Sequence, residues 1–209
     1  ARQTTLALDG VSLEVRPREI VCLVGPSGCG KSTLLNIAAG IDTQFEGDAR
    51  FEGAAITGMG RERAVVFQEP ALFPWLNVRS NVEFGLKLRG VSKAERRAIV
   101  DRQLDLVHLA RFDRAYIHEL SGGMKQRVQL ARALAVEPHV LLMDEPFASL
   151  DALARLALRE ELVRLWGGTV RPSVIYVTHD IEESILLGDR VLVMETGGGR
   201  IRADIPVPL

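Results

Sequence analysis

An α/β fold, built on a mainly parallel sheet and interrupted by a helical insert, is predicted by three features of this 209-residue chain. IVCLV (20–24) and VLLMD (140–144) are runs of branched and long apolar residues, the composition of strands buried on both faces of a parallel sheet. Each leads into a helical pattern, as does SVIYVT (173–178), giving the alternation of strand and helix found in α/β cores. From about residue 77 to residue 135 the spacing is helical and no strong strand candidate occurs.

In chain order, VSLEV (11–15) is predicted as a strand, separated from IVCLV by Arg16, Pro17 and Arg18. A Gly-rich loop and a helix from about Lys31 to Ala39 follow. DARFEG (48–53) and AVVF (64–67) are predicted strands with turn-rich sequence between them. After the insert come VLLMD, a helix from Ala152 to Trp166, SVIYVT, a helix beyond His179 and the strand RVLVM (190–194), with GGG (197–199) as a hairpin turn. Residues 1–209 are expected to form one domain, with 1–76 and 136–209 as the α/β core and 77–135 as the helical subdomain.

Composition narrows the function. With 26 Lys and Arg against 27 Asp and Glu, the formal net charge is -1, so no global field draws the chain to nucleic acid, which is not an expected partner. The densest basic stretch, RGVSKAERRAIVDRQL from Arg89, is diluted by Glu95 and Asp101 and reads as a solvated helix face. No apolar run approaches the roughly 18–20 residues that cross a bilayer, so a membrane role would go through a partner. Two cysteines, Cys22 and Cys29, form no disulfide framework and suit a reducing compartment. The first residue is Ala1, so the chain is expected to begin inside a longer natural sequence.

GPSGCGKST (25–33) fits G-x-x-x-x-G-K-[ST] directly after a predicted strand and before a predicted helix. Gly25, Gly28 and Gly30 allow backbone N–H groups to turn inward around phosphate oxygens, and the helix start adds partial positive charge. Pro26, Ser27, Cys29 and Thr33 complete the loop; Cys29 contributes through its backbone N–H rather than its thiol. Lys31 is expected to reach the β and γ phosphates of ATP, and the Ser32 hydroxyl to bind Mg²⁺. Asp144, at the carboxyl end of a buried strand, is placed to hold Mg²⁺ through water, and Glu145 to orient or deprotonate the attacking water. HELSGGMKQRVQLAR (118–132) adds a second helix start of phosphate-binding type, with no Lys-Ser or Lys-Thr to complete it.

With GPSGCGKST, LSGGMKQ, VLLMDEP, SLD and VTHD in this order, the chain resembles the nucleotide-binding subunit of ABC transporters from about Leu8 to Met194. The resemblance implies a P-loop NTPase core with a mainly parallel sheet, an antiparallel β subdomain and an inserted α-helical subdomain. It makes Gly25–Thr33 the Walker A loop, Val140–Asp144 the Walker B strand and Glu145 the catalytic base. Gln68, after AVVF, looks like the Q-loop residue that helps ligate Mg²⁺ and senses the γ phosphate, and His179 like the switch histidine. Leu120–Met124 looks like the signature and Ser149–Asp151 the D-loop, so Ser121, Gly122, Gly123 and Asp151 would meet ATP held by a second copy of the chain.

VVFQEPALFPWLNVRSNVEFGLKL, GRERAVVFQ, DALARLALREEL and VTHDIEESILLGDRVLVM resemble importers of the nitrate, taurine, aliphatic sulfonate and bicarbonate group. The implied partners are a second ATPase subunit, a transmembrane permease and, indirectly, a solute-binding protein. The implied place is the cytoplasmic face of the inner membrane. In PALFPWLNV, two prolines hold Leu72, Phe73, Trp75 and Leu76 in an irregular apolar stretch that the resemblance makes the permease-binding groove. Two departures stand out. The aromatic that stacks on adenine would fall at or before Arg2, and no aromatic precedes Phe45; the turn before the Walker A strand carries Arg18-Glu19 where Gly-Glu is common. The chain is also short for the family and is expected to lack a tail. A soluble non-transport ABC ATPase and a non-hydrolysing nucleotide sensor are the alternatives; the insert shows no long coiled coil of the repair type, translation types usually carry two such domains in one chain, and an intact Glu145 and His179 weigh against the sensor.

Overall fold

Ile20–Val24 forms β1 with all five residues buried, at the centre of a six-stranded sheet, as its unbroken apolar run predicts. The computed structural model describes residues 6–167 and 171–208. The sheet order places β4 (Arg63–Val66) beside β5 (Val140–Asp144), then β6 (Ser173–Val177), β1, β7 (Arg190–Met194) and β8 (Ile201–Pro206). β1 runs parallel to β6 and β7, and β5 parallel to β6, whereas β8 returns antiparallel to β7. Register decides the function-bearing edge: Leu23 pairs with Val177, and Asp144 pairs with the same Val177. The carboxyl ends of three strands therefore lie level, and the loops leaving them carry GPSGCGKST, Glu145 and His179.

Under the sheet, Leu35 and Ala39 of α1 (Lys31–Ala39) join Val21, Leu23, Leu142 and Ile175 in one buried cluster. Buried residues recur in α1 at 31, 35 and 39, the i, i+4 spacing of one helix face. Gly40 ends the helix at φ 75°, the left-handed conformation that lets its N–H reach the last carbonyls. β2 (Arg50–Phe51) and β3 (Ala54–Ala55) form a two-residue antiparallel pair.

Two expectations need correction, and two strands, β3 and β8, were missed. VSLEV forms no strand: Leu13 and Val15 pack against the core cluster while Ser12 and Glu14 are exposed, so the alternation is real, but no neighbouring strand among the described residues completes a ladder. The predicted strand DARFEG shrinks to two residues, because the chain turns at Glu52 and Gly53, both with positive φ. β8 carries Arg202, Asp204 and Pro206, with only two of six residues partly buried, and offers no apolar run to read. The turn before β1 keeps the left-handed conformation that glycine would favour: Arg18 adopts φ 64°, held by its N–H on Ser173 Oγ at 2.9 Å and by Glu19 N–H on Arg16 O.

The chain divides into two units, 1–65, 139–145 and 172–209 in the first, and 66–138 and 146–171 in the second. The expected helical subdomain 77–135 lies within the second unit, which also includes α5 (Ala152–Trp166). There α2 (Val78–Leu88), α3 (Lys93–Leu106) and α4 (Gly122–Ala135) pack on one another, and Val82, Leu86, Val100, Leu104, Val128 and Leu134 are buried on them. Asn77, Ser92, Ser121 and Asp151 cap the four described α-helices of this unit, each side chain accepting an N–H of the first turn. The basic stretch from Arg89 is engaged at home: Arg96 meets Glu83 at 2.7 Å, Arg102 meets Glu137 at 3.2 Å, and Arg89 donates to Val136 O. No described helix is long and apolar enough to cross a membrane, and the expected adenine-stacking position at or before Arg2 lies outside the described residues.

Glu83 ties α2 to α3. Burial pushes its carboxyl up, but hydrogen bonds from Lys87 and Arg96 outweigh that and hold it below its ordinary value of 4.5. A lowered pKa stabilises the fold above the unfolded value and ceases to do so as pH falls through the folded one. Glu83→Gln is expected to cost about 1–2 kcal/mol at pH 7, the scale of a charge-assisted hydrogen bond. Urea unfolding of the two proteins should show that difference shrinking as pH falls below 4.5.

Candidate functional site

The loop after β1 has the conformation its glycines predict. Gly28, at the exposed tip, has φ 79° with nothing within 4 Å of a built Cβ, and Gly30 has φ 94° with a Cβ that would lie 2.5 Å from Ala7 O. One position leaves space open for a ligand and the other is closed by the fold's own backbone. Gly30 also serves as N-cap of α1, without a side-chain cap and with no acidic residue in the first turn. Among the α-helices of the described residues, α1 alone lacks a side-chain cap, since Asp180 caps α6 (Ile181–Leu187) through Glu183 N–H. The N–H groups at the start of α1 are thus available to an anion.

Lys31 is 7% exposed and its ammonium donates to Gly25 O and Pro26 O, both at 2.8 Å. Cys29 Sγ stands 3.7 Å from the same Nζ, and Cys29 N–H donates to Pro26 O. The cation is buried because the loop supplies carbonyl oxygens to it; phosphate oxygens would be better partners in the same directions, being charged. Ser32 hydrogen-bonds Asp144, so the two residues expected to share Mg²⁺ are brought together at the level ends of β1 and β5. Burial pushes the Asp144 carboxyl up, and Glu145 adds to that, while Ser32 and Lys31 pull it down. No cluster of three or more His, Cys, Asp or Glu placed to hold a metal occurs among the described residues. A hydroxyl and one carboxylate suit Mg²⁺, which keeps most of its water and takes further oxygens from phosphate.

Glu145 leaves β5 at φ 44°, with its N–H on Val177 O at 2.9 Å. A left-handed conformation at a non-glycine residue costs on the order of 1–3 kcal/mol and needs surrounding structure to hold it. Here it swings the carboxylate off the strand line towards the next loop, where Glu145 Oε2 lies 3.2 Å from His179 Nδ1. The predicted base and the predicted switch histidine are therefore in direct contact. Sequence reasoning missed what holds His179. Thr178 Oγ1 donates to Glu183 Oε2 at 2.6 Å and accepts Asp180 N–H, while Asp180 Oδ1 accepts Glu183 N–H. The Asp180-x-x-Glu183 spacing is a helix-start signal that could have pointed to this network.

The second unit carries Gln68, the signature and the D-loop. Gln68 is exposed in the turn after β4. Ser121 caps α4 through Met124 N–H, confirming a helix start at the predicted place. A Cβ at Gly123 would lie 3.0 Å from Leu150 Cδ2, a tight approach that the leucine side chain would have to yield to; one at Gly122 would meet nothing within 4 Å. Asp151 Oδ1 accepts Ala154 N–H at the start of α5. In the PALFPWLNV stretch, the Phe73 ring lies 4.4 Å from Phe84 and 5.6 Å from Trp75, and Trp75 is 70% exposed.

Both cysteines are buried, and burial pushes the Cys22 thiol up to about 12. A bulky thiol reagent at about pH 8 is expected to label neither in the native protein and both after denaturation, counted by absorbance or mass. Rapid native labelling of Cys22 would contradict its burial.

The site geometry agrees with the comparisons. The ABC transporter family pattern matches residues 8–148. The taurine import ATP-binding protein TauB of Chromobacterium violaceum is 51% identical over 199 residues, 95% of this chain and 76% of the relative. The nitrate import ATP-binding protein NrtD of Synechocystis is 46% identical over 208 residues, 100% of this chain and 78% of the relative. Among solved structures, a dimeric ATP-binding cassette in a post-hydrolysis state bound to ADP and Pi matches with a TM-score of 0.88 and 31% identity, covering 97% of this chain and 91% of that one. With a phosphate loop, a buried lysine, a strand-end aspartate and a glutamate–histidine pair on one sheet edge, and this likeness along nearly its whole length, the chain belongs to the ABC transporter family as an ATP-hydrolysing subunit.

Proposed function

We propose that the chain powers solute import as one half of a nucleotide-sandwich dimer attached to a membrane permease, with a solute of nitrate, sulfonate or taurine type. The observation that carries the dimer is Gly122. Neither its backbone conformation nor its surroundings in this chain require glycine, yet it opens a 14-residue helix with no acid in its first turn. A glycine that its own subunit does not need is explained by something approaching from outside, and the start of α4 offers that visitor N–H groups and a positive dipole end. The γ phosphate of an ATP bound at Lys31 of a second copy fits that chemistry. A twofold arrangement then uses each surface twice. A similar cassette, dimeric and bound to ADP and Pi, supports a dimer.

On this reading Gly25–Thr33 hold the phosphates, with Lys31 exchanging loop carbonyls for β and γ oxygens. Ser32, Asp144 and Gln68 would hold Mg²⁺, which would neutralise charge on the phosphates. Glu145 orients or deprotonates the attacking water, and His179, 3.2 Å from it, keeps the carboxylate aimed and contacts the γ phosphate. Ser121, Gly122, Gly123 and Asp151 act on the ATP of the partner copy. ATP drives closure because it binds the closed dimer better than the open one. The names of TauB and NrtD support an importer, with the permease resting on the exposed aromatic stretch around Trp75 and the subunit thereby at the cytoplasmic membrane face.

Glu145→Gln is expected to bind ATP, form a stable dimer by size-exclusion chromatography and lose turnover by about 10²-fold or more, the usual contribution of a positioned base. Normal hydrolysis by Glu145→Gln would remove Glu145 from the role of base. Gly122→Asp should leave ATP binding to the single subunit unchanged while abolishing steady-state hydrolysis, because the added charge faces the partner's phosphate. Weakened binding to the isolated subunit would show instead that Gly122 matters within its own chain.

A further inference from the structure

Gln68 and the signature are assigned separate tasks, yet three polar side chains of α4 turn back towards the stretch that carries Gln68. They are Gln126, Gln129 and Arg132, spaced three residues apart. Gln126 Nε2 and Gln129 Nε2 each donate to Phe67 O at 2.9 Å, so both lone pairs of that carbonyl are occupied by α4. Gln129 Oε1 accepts Ala71 N–H at 2.6 Å, and Arg132 Nη2 donates to Ala71 O at 2.7 Å. The turn from Phe67 to Ala71 is thus fastened at both ends to one helix, with Gln68 between the fastenings. The Arg132 guanidinium also lies 5.4 Å over the Phe73 ring, extending the hold to the aromatic stretch.

These contacts are an expensive way to fill space. Gln129 is fully buried and Gln126 is 2% exposed, and Gln126 Oε1 has no hydrogen-bond partner. A buried amide costs free energy unless every polar atom is satisfied, whereas Leu or Met fills a similar volume without that demand. What the amides supply and a Leu would not is direction: they hold one particular backbone conformation at Phe67 and Ala71. Gln126 lies five positions beyond Ser121, about 7.5 Å at 1.5 Å per residue, with no break in the helix.

We propose that Gln126 and Gln129 are positioning residues that make the Gln68 turn and the signature helix one mechanical piece. A displacement of Gln68 is then carried to Ser121–Gly123, and a displacement of the helix start is carried back to Gln68. The inference rests on the assignment of Gln68 to the ATP site. Gln129 does the larger share, since it grips both ends of the turn, and Gln126 supports one end.

The test is a double-mutant cycle on steady-state MgATP hydrolysis by the full-length subunit. Gln129→Leu is expected to lower kcat about tenfold, the rate equivalent of losing one or two oriented hydrogen bonds, with KM changed less than about twofold. Combined with Gln68→Ala, it should reduce kcat no further than Gln68→Ala alone, because a residue that acts through Gln68 has nothing left to act through. Hydrogen exchange should quicken at the Ala71 amide, whose acceptor is lost, while the amides within α4 stay protected. Gln126→Met removes a single donor at nearly constant volume; it should give a smaller and equally non-additive loss, and it carries the test if Gln129→Leu does not fold. Additive losses of kcat, or loss of protection spread along α4, would overturn the inference and leave Gln68 its role. Full kcat in Gln68→Ala would overturn both.

Discussion

The parallel register of β1, β6 and β5 is the constraint on which the catalytic edge depends. Leu23, Val177 and Asp144 lie side by side, so three loops that are far apart in sequence leave the sheet at one level. A shift of one residue in any of these strands would turn its side chains to the other face and move its loop along the edge by about 3.3 Å. The strands are locked against such a slip because nearly all their residues are buried on both faces, from Val21 and Leu23 to Leu142, Ile175 and Val177. Catalytic placement here is a consequence of core packing. Ser32 meets Asp144, and Glu145 meets His179, because their strands end together.

Upon that edge the fold adds two local devices. One is the absence of a side-chain cap on α1, while Asn, Ser and Asp cap the other α-helices of the described residues. An Asp at the position of Gly30 would satisfy N–H groups that phosphate is meant to meet, and its Cβ would collide with Ala7 O. The other is the left-handed Glu145, a strained residue held by its N–H on Val177 O. Sheet register fixes where the loop starts, and this one dihedral fixes where its carboxylate goes.

Much of this was legible beforehand, for identifiable reasons. β1, β5 and β7, together with α1 and α5, have the bounds that the sequence suggested, because buried apolar runs and Asp or Gly boundaries leave little choice of endpoint. VSLEV misled because alternation reports which face is buried, while a strand also needs a neighbour to pair with, and pairing is not written in local sequence. β8 was invisible for the converse reason: its pairing with β7 comes from the hairpin, and its own residues are largely exposed. At the site, the residues of the phosphate loop announce themselves because their chemistry needs fixed spacing. Gln126 and Gln129 do not, since a buried Gln becomes informative only once its partners are known.

On the proposed reading, the structure also bears on why one subunit would not be enough. Lys31 already has two carbonyl oxygens at 2.8 Å, so ATP arriving at the loop must replace bonds that exist, and its net gain from the lysine is less than the lysine's charge suggests. Charge on the γ phosphate grows more costly as water is excluded, and α1 supplies only one helix end against it. On the proposed reading the start of α4 from a second copy supplies another, through N–H groups whose first-turn surroundings hold no competing acid. That contribution exists only when two copies close. Free energy that the single site lacks is thereby held back until closure, which is the condition for ATP to drive a movement and not merely to bind.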